Sequence, residues 1–401
     1  MDEAGNSYRG ITDTPVKTSL RELAGFFLRL GTTAFGGPAA HIAMMEDEVV
    51  RRRGWLTHEK FLDLLGATNL IPGPNSTEMA IHIGFLRAGW AGLVVAGASF
   101  IIPAMVMVTA FAWAYVRFQH LPEVNWCLYG VKPVVIAIVL QALWGLGRTA
   151  IKTKFLGILA ILAATLNFLR IDELAILLGT GMLVGWWQGL KPDRKGNLRA
   201  LLLMTVLVGG FLAAAYFAMR MQTAAKVQFG LLTLFLFFCK VGSILFGSGY
   251  VLLAFLQADL VQNWHWLTAT QLLDATAVGQ VTPGPVFTTA TFIGYLLAGL
   301  PGALIATAGI FLPAFFFVAI SGPLVPLLRK SAIAGAFLDG VIVASLALMA
   351  VVTWRLGRDA VIDLPTALLA IASAVLLIRF RLNSLWLVLG GALIGFLLYL
   401  A

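Results

Sequence analysis

Charge is what this chain has least of. Only 12% of its 401 residues are Asp, Glu, Lys or Arg, against about a quarter in ordinary soluble domains. With 60% hydrophobic residues and a mean hydropathy of +0.90, a water-soluble fold is excluded, because that much apolar surface cannot be hidden. Cysteine is nearly absent: Cys127 and Cys239 stand alone, which removes a disulfide framework and a cysteine metal site. His41, His82 and His265 are isolated, so no metal is expected. No Walker A loop is present, so ATP drive is not expected. The apolar stretches hold no carboxylate pair and no nucleophile–base set, so neither enzyme chemistry nor a cofactor is expected. The first residues, Met1–Leu20, are polar and lack the apolar core of a signal peptide, so no cleavage is expected.

What the chain does have is long apolar runs. Leu156–Leu169, Leu201–Ala218, Val341–Thr353 and Leu385–Leu400 carry almost no charge, and a membrane span needs about 20 mostly apolar residues. The formal net charge of +9 sits in short clusters between these runs, where Lys and Arg set topology; it is no nucleic-acid footprint. The chain also repeats itself. Trp55-Leu56-Thr57 answers to Trp266-Leu267-Thr268, Leu62-Asp63 to Leu273-Asp274, and Pro72-Gly73-Pro74 to Pro283-Gly284-Pro285, all at an offset of 211. The offset then falls to 210: Ile83-Gly84 matches Ile293-Gly294, Pro103 matches Pro313, and Trp144 and Arg148 match Trp354 and Arg358. So many scarce residue types in register mark a duplication.

An unduplicated apolar run, Leu201–Ala218, separates the copies, and one linking span inverts the second copy. Charge agrees. Arg51, Arg52 and Arg53 precede Trp55, whereas the matching Leu260–Thr268 holds no Lys or Arg. The expected organisation is a cytoplasmic tail over 1–20, a first repeat over 21–190, a linker with its connecting helix over 191–228, and an inverted repeat over 229–401. Two versions fit the apolar segments. One has about 13 spans, six per half plus the linker, and strands Arg51–Arg53 on the wrong side. In the other, Phe26–Met45 and Phe61–Phe85 are re-entrant hairpins, and that defect vanishes. Both put the N-terminus inside and the C-terminus outside.

The helix breakers carry the functional reading. Pro72-Gly73-Pro74 and Pro283-Gly284-Pro285 interrupt helices at matching places, and paired interruptions mark transporter sites. Asn75-Ser76-Thr77-Glu78 and Val286-Phe287-Thr288-Thr289 follow as the first turns of half-helices. Free amides there, with neutral hydroxyls, suit an anion. The Gly36-Gly37-Pro38 and Gly247-Ser248-Gly249 breaks supply the other wall. Lys240, with Ser243 a turn on, and its counterpart Arg29 would attract a dianion, and Glu78 is the candidate coupling group. Replacing Thr288 and Thr289 with valine is expected to cut transport. Glu46, Asp47 and Glu48 beside Arg51–Arg53 read as a self-paired surface helix, Trp144 and Trp354 as interfacial anchors, and Asp63 and Asp274 as caps or topology signals.

At these motifs the sequence resembles the chromate transporter family of bacterial membrane proteins. The first copy carries Phe35-Gly36-Gly37-Pro38 and Leu70-Ile71-Pro72-Gly73-Pro74-Asn75; the second carries Phe246-Gly247-Ser248-Gly249-Tyr250 and Thr282–Ala290. The resemblance implies a two-domain protein of the plasma membrane that expels chromate and confers resistance. A dianion leaving through about 100 mV gains about 4.6 kcal/mol, a gradient above a thousandfold without a pump. The expected fold is therefore an all-α polytopic membrane protein of two inverted-topology repeats with broken or re-entrant helices. Its expected partners are chromate or a similar oxyanion such as sulfate, the lipid bilayer, and a second copy in a homodimer, with no nucleic acid. A sulfate carrier and an oxyanion channel are the alternatives.

Overall fold

A computed structural model describes residues 18–35, 37–189, 227–246, 249–330, 332–380 and 382–400. The N-terminal tail, the linker run Leu201–Ala218, and Gly36, Gly247 and Ser248 lie outside them. All regular structure among the described residues is helical.

The first copy opens with α1 (Leu20–Thr33), α2 (Gly37–Glu46) and a π-helical turn, Asp47–Arg52. At 14 and 10 residues, these helices rise about 21 and 15 Å, each well short of the roughly 30 Å hydrocarbon core. They form a hairpin that returns to its own side. Arg53, just past the π turn, pairs with Glu22 in the first turn of α1 at 2.9 Å, and Trp55 packs edge-on against Phe26. A second hairpin follows. Thr57 caps α3 (His58–Thr68) by accepting from the Lys60 amide, the Pro-Gly-Pro break intervenes, and the first part of α4 (Asn75–Phe118) runs back. Arg87 there donates to the Trp55 carbonyl at 3.1 Å and to the Thr18 hydroxyl at 2.8 Å. Both predicted re-entrant hairpins, Phe26–Met45 and Phe61–Phe85, therefore end beside their own entry points, and the 13-span version is set aside.

The turn at the end of the second hairpin lies within α4. Ala88 (φ −143°, ψ 21°) and Gly89 (φ 62°, ψ −147°) break the helix, and a left-handed φ of this kind is open to glycine without strain. The chain doubles back so tightly that a Cβ on Gly84 would strike the Gly92 carbonyl oxygen, and one on Gly92 that of Gly84. After the bend α4 runs on to Phe118 as a spanning helix.

The remaining helices of this copy are α5 (Pro122–Ala150), α6 (Lys154–Phe168) and α7 (Glu173–Gly189). The second copy repeats the pattern: α8 (Leu231–Ile244), a short 3-10 turn, α9 (Leu252–Phe255), a π turn over Leu256–Asn263, α10 (Ala269–Val281), a 3-10 turn over Val286–Thr288, and α11 (Thr289–Lys330). Even the bend recurs, at Ala298 (φ −149°, ψ 26°) and Gly299 (φ 61°, ψ −150°). Thr268 caps α10 as Thr57 caps α3, here as a reciprocal box with Gln271, which explains the repeated Trp-Leu-Thr. The chain closes with α12 (Ala332–Ala360), α13 (Leu364–Phe380) and α14 (Ser384–Leu400). Four helical stretches, 75–118, 122–150, 286–321 and 332–360, are long and apolar enough to cross a membrane.

Two contacts fix the relative direction of the copies. Lys152, past the end of α5, pairs with Asp339 near the start of α12 at 2.7 Å. Tyr129, near the start of α5, donates to Asp363, past the end of α12, at 2.7 Å. Since α5 and α12 are equivalent in the repeat and run antiparallel, the second copy is inverted. The Asp363 carboxyl, taking the Thr366 amide and then the Tyr129 hydroxyl, is held below the usual carboxylate range. The copies also exchange their last helices: α7 packs on α12, and α14 packs on α5, while α4 meets α11. Lipid-facing positions such as Ile161, Leu232, Phe316 and Ile371 stay largely exposed, as a bilayer-facing perimeter requires.

Candidate functional site

The re-entrant hairpins of the two copies meet at their tips. The Gly73 amide donates to the Leu245 carbonyl at 2.7 Å, and the Gly284 amide donates to the Ala34 carbonyl at 3.0 Å. Each Pro-Gly-Pro break is thereby tied to the end of the other copy's first helix, in a near-symmetric staple. His41 reinforces one side, its Nε2 lying 3.1 Å from the same Ala34 oxygen, so that nitrogen carries the proton and donates. The Gly73 and Gly284 amides, expected to face an anion, are in this conformation occupied by the staple. Pro38 is the second residue of α2, Pro74 precedes α4, Pro285 precedes the 3-10 turn, and Pro72 and Pro283 lie inside the breaks.

The half-helix starts differ from each other. At the start of α4 the Thr77 and Glu78 amides return to the Pro74 carbonyl, while Asn75 and Ser76 have no backbone acceptor among the described residues. Ser76, Thr77 and Glu78 are buried, and Asn75 donates from Nδ2 to Asn69 at 2.8 Å. In the second copy Thr288 and Thr289 are equally buried, but their hydroxyls donate to the carbonyls of Pro285 and Val286, each at 2.8 Å. A hydroxyl has one proton to give, so these threonines are not free donors for a ligand here. Ser243 is likewise engaged, donating to Cys239 at 2.7 Å. Lys240 sits in an ion pair with Asp259 of the same hairpin at 3.1 Å. Arg29 lines a separate groove of about 350 Å³ with Thr33, Asp47, Glu48 and Arg52.

A cavity of about 350 Å³ opens beside the tips. Gly37 and Ala40 form one wall, Gly279, Gln280, Thr282 and Gly284 the other. Gln141 of α5 and the Asn383–Ser384 start of α14 complete it. Its lining is polar without a formal charge, and its volume matches about a dozen waters, enough for a hydrated tetrahedral anion. A second cavity of about 540 Å³ carries Arg355, Arg358, Asp359, Gln257 and Gln262. Arg355 is fixed there by donating to Gln262 and to the Asn167 carbonyl, both at 3.2 Å. The two cavities lie toward opposite membrane faces. Asp363 ties the α12 end, with Arg355 and Arg358, to the start of α5, and α13 then carries the chain across to Asn383.

Sequence reasoning missed Gln141, Gln280, Asn383 and Ser384, although Gln141 interrupts an apolar run and Gln280 stands just before a break. It also missed Lys132, an intramembrane lysine whose location in the apolar α5 was itself a signal. Lys132 approaches Asp274 to 3.7 Å, and Tyr115 donates to Asp274 at 2.9 Å. Asp63 and Asp274, read alike from sequence, are therefore unlike: Asp63 is exposed and Asp274 buried. The acidic run beside Arg51–Arg53 is self-paired as expected, through Arg52–Asp47 at 2.9 Å and Arg53–Glu48 at 2.8 Å. Trp144 and Trp354 are both about 60% exposed, as anchors require.

Inverted copies, broken helices meeting at mid-molecule and a polar cavity on either side define the class of multi-pass membrane transporters with re-entrant repeats. The chain belongs to the chromate transporter family, whose model matches residues 21–186 and again 232–396. It is 34% identical over 394 residues to the chromate transport protein of Cupriavidus metallidurans, covering 97% of this chain and 96% of that one. It is 31% identical over 392 residues to the chromate transport protein of Pseudomonas aeruginosa, covering 96% and 94%. A probable chromate transport protein of Synechococcus elongatus is 31% identical over 366 residues, covering 89% of each. No solved structure matches the chain.

Proposed function

We propose that the protein is a secondary carrier exporting chromate across the bacterial plasma membrane, driven by membrane potential, and that export confers chromate resistance. The observation that carries this reading is the tip-to-tip staple, Gly73 to Leu245 and Gly284 to Ala34, with an uncharged polar cavity on one side and an arginine-bearing one on the other. An anion in the neutral cavity would meet the side chains of Gln141, Gln280 and Ser384, and would be drawn outward by Arg355 and Arg358. Basic side chains support the orientation. Arg51–Arg53, Lys60, Arg148, Lys152 and Arg379 lie near the face to which the first hairpins return, which supports reading that face as cytoplasmic and the C-terminus as periplasmic. The repeats are proposed to divide at 191–228, with the linker span crossing between them, and a homodimer is the proposed assembly. The names of the relatives concern chromate transport, which favours a carrier over an enzyme. The test is chromate uptake into inside-out vesicles under an imposed potential, with sulfate as competitor. Potential-driven, sulfate-sensitive accumulation is expected; absence of flux in folded protein overturns the reading.

A further inference from the structure

Five buried side-chain atoms at the start of α4 have no hydrogen-bond partner among the described residues: Asn75 Oδ1, Thr77 Oγ1, both carboxyl oxygens of Glu78, and His82 Nε2. Buried polar atoms are nearly always paired, so a cluster of unpaired ones needs an explanation. Asn75, Glu78 and His82 are spaced i, i+3 and i+7 and so share one helix face. Glu78 is fully buried, and a Cβ on Gly73 would collide with its carboxyl. The carboxyl therefore lies directly against the backbone of the break at Gly73.

No Lys or Arg pairs with Glu78 among the described residues. The elements packed against this part of α4 offer little else. The described side chains of α11 include one titratable group, Tyr295. On α10 there is Asp274, engaged by Tyr115 and near Lys132. On α2 there are His41, turned to the Ala34 carbonyl, and Glu46, beside Arg51 and His58. On α3, His58, Glu59, Lys60 and Asp63 lie on exposed positions. On α1, Arg21 is exposed, Glu22 is paired with Arg53 and Arg29 faces its own groove. An ionised carboxylate held there without a cation is costly. A dianion entering the cavity beside the stapled tips would add like-charge repulsion.

We infer that Glu78 takes up one proton with each oxyanion and carries it outward, so that cargo and carrier group together move one net negative charge. This rests on the oxyanion-transport reading above. The proton comes from the cytoplasmic water with the oxyanion, sits on a Glu78 carboxyl oxygen, and is released to the opposite side when the oxyanion leaves; nothing is oxidised or reduced. The second copy has Thr289 at the matching place, its hydroxyl already bonded to Val286, so one carboxyl serves the whole molecule.

The test uses the full chain in proteoliposomes, with labelled sulfate or chromate in alkaline buffer, where both are dianions. At an imposed potential of about 100 mV, positive inside, and no pH gradient, one net charge supports an accumulation of about 50-fold, and two net charges about 2,000-fold. The expected wild-type value is the lower one, shifting about tenfold for each unit of pH gradient. Glu78→Gln should lose the pH response, and Glu78→Asp should retain it. A wild-type ratio near the higher value and indifferent to pH overturns the inference, as does a pH response preserved in Glu78→Gln. The wild-type ratio decides on its own should Glu78→Gln not reach the membrane. Absence of any accumulation would instead count against the transport reading.

Discussion

The two Pro-Gly-Pro breaks share a motif, a backbone course and a staple, yet their polar groups are disposed in opposite ways. In the second copy the first turn is closed on itself: Thr288 and Thr289 donate to their own helix, and Val286 and Phe287 bring no polar side chain. In the first copy Asn75, Thr77, Glu78 and His82 all present buried atoms without partners among the described residues. Each such atom costs about 1–3 kcal/mol, so the first break carries a strain that the second has shed. Duplication gave two equal frames. The second break now closes its own first turn while lining the cavity through Gly284 and Val286, and the first keeps buried polar atoms without partners among the described residues, a cost of the kind met at functional sites.

The comparison can be broken most severely at what the copies share. Gly84→Leu or Gly294→Leu should each collapse the doubled-back bend, because Gly92 and Gly302 leave no room even for a Cβ. Loss of several kcal/mol would appear as missing protein in the membrane, equally for both. Next come changes that should separate the copies. Glu78→Thr, which installs the second copy's residue, is expected to abolish pH-coupled transport while abundance holds. Thr288→Val with Thr289→Val should slow transport about 30-fold without abolishing it, each hydroxyl bond being worth about 1 kcal/mol. Equal losses from both would erase the distinction. The smallest effect is expected in the cavity. Gln141→Leu should raise the half-saturating oxyanion concentration about five- to tenfold, the cost of one hydrogen bond, with maximal flux kept. Val351→Ala at the matching place in the other copy should leave the half-saturating concentration unchanged, since Val351 is buried and lines neither cavity.

The frame was legible in the sequence because it rests on local chemistry. Repeated Trp-Leu-Thr became matching helix caps, Pro-Gly-Pro became hairpin tips, and the lone Arg51–Arg53 cluster distinguished re-entrant hairpins from full spans. Inversion was legible from charge and was met by the Lys152–Asp339 and Tyr129–Asp363 contacts. The site was less legible because it depends on partners far apart in the chain. The exchange of α7 and α14 between copies brings Asn383 and Ser384 to Gln280, and no local pattern encodes that. Nor does composition say whether a hydroxyl is free: Thr288 and Ser243 have the right chemistry but spend it on neighbouring carbonyls. Lys132, Asp274 and Tyr115 come from three helices, and only their meeting makes a buried cluster.

The most direct test of the central claim, that the stapled tips bound an oxyanion site reached from one face at a time, is thiol labelling in the cavity. Gln280→Cys, with Cys127 and Cys239 replaced by serine, would be treated with a membrane-impermeant thiol reagent from either side. Sulfate is the protectant, since chromate oxidises thiols. The account predicts labelling from the cytoplasmic face alone, slowed about tenfold or more by sulfate, as occupancy of a shared cavity requires. Labelling from both faces at equal rates, or a rate indifferent to saturating sulfate, would contradict it.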